Sequence, residues 1–290
     1  MNIQGTLIPI GGNEDKGIRA NEKFTLEYIE QSILSRVVRE SGGNKAVFVI
    51  IPTASSIPKE VGEIYLEAFK KLKCSNVTIL DIRERDQCEE TNNIKLIKNA
   101  DCVLFTGGDQ SNIVEKIGGT SIHDILLDRI KNEDFVLAGT SAGAMCMSDE
   151  MIAGSNPKRL FTKGALKMRK GMAFIDHIIL DSHFIKRRRF ARLAGAVAKF
   201  PDIIGVGLDE DTGLVIKDGN ECEIIGTGMV ILFDGRNLAY NNLEEVEMGS
   251  FISLSNLITH VLSPGDFFSI DKKVIKVGQH HEGKTSSQSL

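Results

Sequence analysis

The sequence predicts an α/β fold: a mostly parallel sheet covered by helices on both faces, with an antiparallel extension toward the C-terminus. Three observations carry this. Short β-branched runs alternate with helically spaced stretches through the first half, the pattern of βαβ units. Four of the runs, those at 6–10, 46–51, 102–105 and 135–138, close in turns that contain glycine or serine. From Ile203 onward, short strand-like runs follow one another with only turn residues between them.

Residues 6–10 form the first apolar run, ending at Gly11-Gly12. Residues 24–40 have helical spacing through Leu26, Ile29, Ile33, Leu34 and Val37. A β-branched run at 46–51 is closed by Pro52 and Thr53-Ala54-Ser55. Residues 61–72 read as helix, 77–80 and 102–105 as strands, and 123–131 as helix. Residues 135–138 complete the series. In parallel sheets ligands bind beyond the carboxyl ends of the strands. Gly11-Gly12, Thr53-Ala54-Ser55, Gly107-Gly108-Asp109 and Ser141 are all predicted to lie there. The later runs at 204–208, 213–216, 221–225 and 229–233 are expected to extend the same sheet. Residues 1–278 read as one domain, and the polar stretch 279–290 as a disordered tail.

The 290 residues are 42% hydrophobic and 26% charged, the composition of a soluble globular protein with a substantial core. No apolar run approaches the roughly 20 residues of a membrane span. The N-terminus lacks the basic and apolar regions of a secretory signal. Five cysteines (Cys74, Cys88, Cys102, Cys146 and Cys222) have no metal-ligand spacing and fit a reduced cytoplasm. A net charge of −4 argues against general nucleic-acid affinity. A cytoplasmic location is expected, with no membrane or nucleic-acid partner, no cofactor and no metal.

The richest segment is FVLAGTSAGAMCM, residues 135–147. A buried strand breaks at Gly139-Thr140-Ser141-Ala142-Gly143 and resumes as helix, the G-x-S-x-G pattern of a nucleophile elbow. Small flanking residues allow the tight turn, and the serine stands at a helix N-terminus, where free N–H groups favour developing negative charge. An ordinary strand-to-helix turn would share part of this signature. A serine needs a base, usually a histidine held by a carboxylate. Of six histidines, His280 and His281 fall in the tail, and His123 and His260 in apparent helices. His177 and His183 flank the strand-like run 178–180, and His183, in Asp181-Ser182-His183-Phe184, lies just past that strand. It could equally be a capping or surface histidine. The carboxylates Asp209-Glu210-Asp211 also follow a strand, and spacing alone does not choose among them.

Together GTSAGA, DSHF and GLDEDTGL, with the opening GGNEDK and the GGDQ of residues 107–110, resemble the cyanophycinase family of serine peptidases, relatives of dipeptidase E. The resemblance runs in order from about Gly5 to Phe233. It implies a flavodoxin-like, class I glutaminase-like three-layer fold and an intracellular homodimer. The implied activity is exopeptidase cleavage of cyanophycin. That polymer is a poly-aspartate with an arginine joined through its α-amine to each side-chain carboxylate, and the product is β-aspartyl-arginine. By resemblance Ser141 is the nucleophile, His183 the base and Glu210 the acid. Gly108 and Ala142 supply oxyanion N–H groups, and Gln110, Asp181, Arg187, Arg189 and Arg192 line the substrate pocket.

The basic stretch 186–192 could be a solvated helix face or a nucleic-acid patch, though few aromatics interleave. The third reading is recognition of carboxylate, which guanidinium groups bind through paired hydrogen bonds. Arg189 and Arg192, three apart, would share a helix face. One position departs from the family pattern: Ser182 stands where glutamine is usual, within the expected pocket. This motivates a rival reading as a dipeptidase for Asp-X peptides on the same scaffold. A non-catalytic binding protein is the rival from another class. A glutamine amidotransferase needs cysteine at the elbow, and Cys146 lies five residues past Ser141.

Overall fold

The computed structural model describes residues 3–17, 27–156, 158–271 and 275–276. Strands β1 (Thr6–Ile10), β2 (Val47–Ile51), β3 (Asn76–Ile79), β4 (Cys102–Phe105) and β5 (Val136–Thr140) are the parallel heart of the fold. Between them run helices α1 (Tyr28–Gln31), α2 (Ile33–Glu40), α3 (Pro58–Lys71), α4 (Thr91–Asn99), α5 (Gln110–Ile117) and α6 (Ser121–Asn132). A short helix, α7 (Ala142–Met145), leaves β5 directly, and a hairpin of β6 (Glu150–Ser155) and β7 (Leu166–Lys170) follows. Then come β8 (Ile178–Asp181), α8 (Phe190–Lys199), β9 (Ile204–Leu208), β10 (Thr212–Lys217), β11 (Glu221–Gly226) and β12 (Val230–Asp234). The C-terminal part adds β13 (Tyr240–Asn241), β14 (Leu254–Ser255), β15 (Ile258–Leu262), β16 (Phe267–Ser269) and β17 (Ile275–Lys276).

The main sheet has the order β17-β16-β11-β10-β1-β5-β4-β2-β3. Its central strands β1, β4 and β5 are buried on both faces, as expected of a sheet covered by helices. Alternation sorts their side chains. In β1 and β2, Ile8, Ile10, Phe48 and Ile50 pack with α2 and α3. Leu7, Val49 and Ile51 face the opposite layer, which includes Ile97, Ile113 and Leu126 of α4–α6.

Three expectations need correction. Strands β10 and β11 do extend the main sheet antiparallel, but β9 and β12 do not. They belong to a second sheet of order β15-β12-β9-β8, in which β8 and β9 are parallel. Its apolar face, through Leu180, Val206 and Leu232, shares the core of the first. His260 lies in β15, not in a helix, and side chains there alternate between exposed and buried as an edge strand requires. The long helix expected over 24–40 is split within its described part at Ser32, whose hydroxyl accepts from the Ser35 N–H and caps α2. Residues 24–26 lie outside the described residues, as do His280, His281 and the 279–290 tail. Among the described residues no helix is long and apolar enough to cross a membrane.

The two sheets aim their carboxyl ends at one place. Ile10 pairs with Thr140, so Gly11 and Ser141 emerge side by side from the first sheet. Asp181 pairs with Gly207, so the segments carrying His183 and Glu210 emerge together from the second. Glu210 sits in the three-residue link by which the chain passes from β9 back to β10.

Candidate active site

Ser141 follows β5 and precedes α7 with φ 53° and ψ −108°, a backbone region that side-chain-bearing residues rarely adopt. The glycines on either side make this possible by close approach. A Cβ at Gly139 would lie 2.3 Å from the Gly143 carbonyl oxygen, and one at Gly143 would lie 2.3 Å from that of Phe105. The Ser141 N–H is held by the Ile10 carbonyl at 2.9 Å. The turn presses the serine outward over the end of the sheet.

His183 reaches Ser141 from the second sheet, with Nε2 3.0 Å from the serine Oγ. Its Nδ1 lies 2.9 Å from Glu210 Oε1. A carboxylate on Nδ1 fixes the proton there, leaving Nε2 free to accept from the serine hydroxyl. The imidazole side chain is 11% exposed, and burial lowers its pKa below the usual 6.5. The Glu210 hydrogen bond opposes this fall, while the nearby Arg187 and Arg189 charges add to it. Glu210 loses some hydration to burial, yet bonds from His183 and Asn13 keep its pKa below the ordinary glutamate value. The arrangement is a neutral base ready to take a proton, backed by an ionised carboxylate.

The expected oxyanion donors lie on both sides of the serine. A Cβ at Gly107 would touch the Ser141 Cβ at 3.4 Å, so the Gly107-Gly108 turn abuts the nucleophile. Ala142 is the first residue of α7. Among the described residues no protein acceptor takes the N–H of Gly108 or Ala142. Cys146 is wholly buried, its thiol pushed well above the ordinary value by that burial, so it cannot serve as an elbow nucleophile.

The six residues expected to line the substrate pocket divide into two groups. Arg187 is exposed, and Gln110, at the start of α5, donates to the Ile152 carbonyl at 2.6 Å. Asp181 and Ser182 are instead buried, at 0% and 1% exposure, beneath the position the sequence reading gave them. Arg189 Nη1 donates to Asp181 Oδ1 at 2.9 Å and to the Ser182 carbonyl at 2.7 Å. Arg192 grips the same carboxylate, with Nε 2.7 Å from Oδ2 and Nη2 on Oδ1. The Ser182 hydroxyl meets Met145 Sδ at 3.3 Å. Asp181 and Ser182 therefore hold arginines in place. Arg189 at the N-cap position of α8 and Arg192 in its first turn point to the same side and converge on the Asp181 carboxylate.

Two further residues touch the site, though the sequence reading gave them no role. Asn13 Nδ2 donates to Glu210 Oε2 at 3.1 Å. Glu14, 2% exposed, accepts from the Thr140 hydroxyl at 2.7 Å and from Tyr65, and pairs with Lys16 at 3.2 Å. Burial works against its charge, but Lys16 and these hydrogen bonds outweigh it and lower its pKa. The signal was present in GGNEDK, just past the first strand.

Comparison with known proteins agrees with this architecture. A cyanophycinase of Trichormus variabilis is 34% identical over 94% of this chain and 88% of its own length. One from Geminocystis herdmanii is 32% identical over 92% and 94%. The crystal structure of a peptidase from an acI-B1 actinobacterium superposes with a TM-score of 0.65 at 18% identity, over 92% of this chain and 98% of that one, and shares the fold. The profile of peptidase family S51 matches residues 18–224, and the chain belongs to that family.

Proposed function

We propose that this protein is a serine exopeptidase that hydrolyses cyanophycin and releases β-aspartyl-arginine. The observation that carries the reading is the hydrogen-bonded chain Ser141–His183–Glu210 at the junction of the two sheets. The cyanophycinases similar to this chain over most of its length give it a substrate. In the first half-reaction Ser141 Oγ bonds to the carbonyl carbon of an aspartyl residue as its proton passes to His183 Nε2. The N–H groups of Gly108 and Ala142 face the developing oxyanion, where such donors contribute several kcal/mol. Collapse breaks the C–N bond, and His183 returns the proton to the departing amine. Water then attacks the acyl-serine, giving its proton to His183, and release of the acid restores the hydroxyl. In this reading Arg187, exposed and with its charge acting on His183, receives the α-carboxylate of the arginyl branch.

A second reading, hydrolysis of short Asp-X peptides, is favoured by Ser182, which is short and turned inward and offers no amide to a long side chain. Incubation of the purified protein with cyanophycin and, separately, with Asp-X dipeptides separates the two by product mass. Release of β-aspartyl-arginine that disappears in Ser141→Ala is the expected result. Intact polymer with cleaved dipeptides would favour the second reading, and inertness toward both would sink the enzyme proposal. A cytoplasmic homodimer completes the proposal, and light scattering on the purified chain tests its stoichiometry.

A further inference from the structure

Five consecutive residues, from Ile10 at the end of β1 to Glu14, together contact every member of the Ser–His–Glu set. The Ile10 carbonyl takes the Ser141 N–H, and the Gly11 carbonyl takes the His183 N–H at 2.8 Å. Gly12 lies directly beneath the imidazole, where a Cβ would come 2.5 Å from Nε2, and its carbonyl accepts the Asp211 N–H at 2.9 Å. Asn13 donates to Glu210, and Glu14 accepts from Thr140, the residue before the nucleophile. The serine comes from one sheet and the histidine and glutamate from the other, so their alignment depends on whatever spans the two. This turn spans them.

We propose that residues 10–14 are the template that sets the Ser141–His183–Glu210 alignment, with Asn13 the positioning residue that orients Glu210. The inference rests on the triad reading above. Glu210 has three side-chain torsions and is partly exposed, so one oxygen bonded to His183 does not fix the carboxylate. Asn13 holds the second oxygen, leaving Oε1 aimed at Nδ1. Asn13 has φ 52°, a conformation asparagine tolerates better than most residues, so one residue type satisfies both backbone and side chain. The hydrogen bond is to a charged acceptor and belongs to the stronger class.

Asn13→Gly isolates this role, because glycine keeps the positive φ and removes only the amide. The readout independent of substrate is the rate at which a fluorophosphonate acylates Ser141, measured from pH 5 to 9. Labelling of the wild type at Ser141, absent in Ser141→Ala, tests the triad reading itself. With that established, Asn13→Gly is expected to label about 10–100-fold more slowly while still folded, with a cooperative melting transition. Its acid limb should also move to lower pH, because a loosened Glu210 supports the imidazolium less. Asn13→Asp, which sets a second carboxylate beside Glu210, should move that limb upward instead. Labelling within twofold of wild type, with an unmoved limb in either folded variant, would overturn the inference.

Discussion

Arg192 closes on both oxygens of Asp181, a carboxylate with no solvent exposure, and Arg189 shares one of them. Two guanidinium groups on one anion leave this corner of the site with surplus positive charge. Burial, with Arg192 and Arg187 nearby, draws Arg189 down to about 10 even though Asp181 pulls the other way. An incoming carboxylate relieves the imbalance, which suits the site to anionic substrates. Removing the buried anion has the opposite effect. Asp181→Asn strands two arginines against each other and is expected to lower stability by about 3–5 kcal/mol, the usual cost of breaking a buried pair from one side. Urea denaturation measures this, and a loss under 1 kcal/mol would mean the arginines swing out to solvent.

With Arg189 and Arg192 occupied, Arg187 is the exposed arginine whose charge acts on His183. Arg187→Ala is expected to raise KM for an anionic peptide substrate by about 10–100-fold, the worth of one charge-assisted hydrogen bond, with less change in kcat. Because the side chain is exposed, the effect should shrink as salt rises. Steady-state kinetics at two ionic strengths check both parts, and an unchanged KM would move carboxylate recognition elsewhere.

The base sets the acid side of the pH profile. His183 must be neutral to accept the serine proton, and burial, opposed by Glu210, holds its pKa below 6.5. Activity should therefore persist as pH falls through 6.5 and be lost only below it. Glu210→Gln removes the bond that supports the imidazolium, so the limb should shift lower still, while kcat falls on the order of 10³–10⁴-fold. A limb that rises in this variant would show that another carboxylate serves His183.

Much of this was legible in the chain. The β1, β4 and β9 runs stand out because buried parallel strands are continuous apolar stretches, and the elbow because Gly139 and Gly143 meet backbone directly. Where His183 and Glu210 meet was not legible, because it depends on the register of β8 against β9, set by long-range pairing. The β6–β7 hairpin escaped notice since Leu166–Lys170 reads as a charged run, mostly solvated on its outer face. Helix α4 buries only Ile97, too little for a clear helical period. The arginine cluster was legible only in part. Its composition points to carboxylate binding, and the structure adds that Arg189 and Arg192 already hold the protein's own Asp181.

Asp211 offers a test of the exit turn through stability. It is buried, accepts from the Asp15 N–H at 3.1 Å and from the Thr227 hydroxyl at 2.8 Å, and its own N–H is held by Gly12. Burial, with Glu14 and Asp15 nearby, raises its carboxyl to about 6 against an ordinary 3.8, although its hydrogen bonds oppose the shift. A carboxyl whose folded pKa is raised costs no stability below the unfolded value. The cost grows as pH climbs from about 3.8 to 6 and is complete above that. At one pKa unit per roughly 1.4 kcal/mol, the full cost is about 3 kcal/mol. Asp211→Asn removes the charge and sacrifices some hydrogen bonding, a loss with no pH dependence. The difference in stability between variant and wild type should therefore shift in the variant's favour by about 2–3 kcal/mol between pH 4 and pH 8. Most of that change should fall before pH 7. Denaturant titrations at four pH values measure the difference directly. A value independent of pH would mean that Asp211 is solvated in the folded protein and that the turn is looser than its hydrogen bonds indicate.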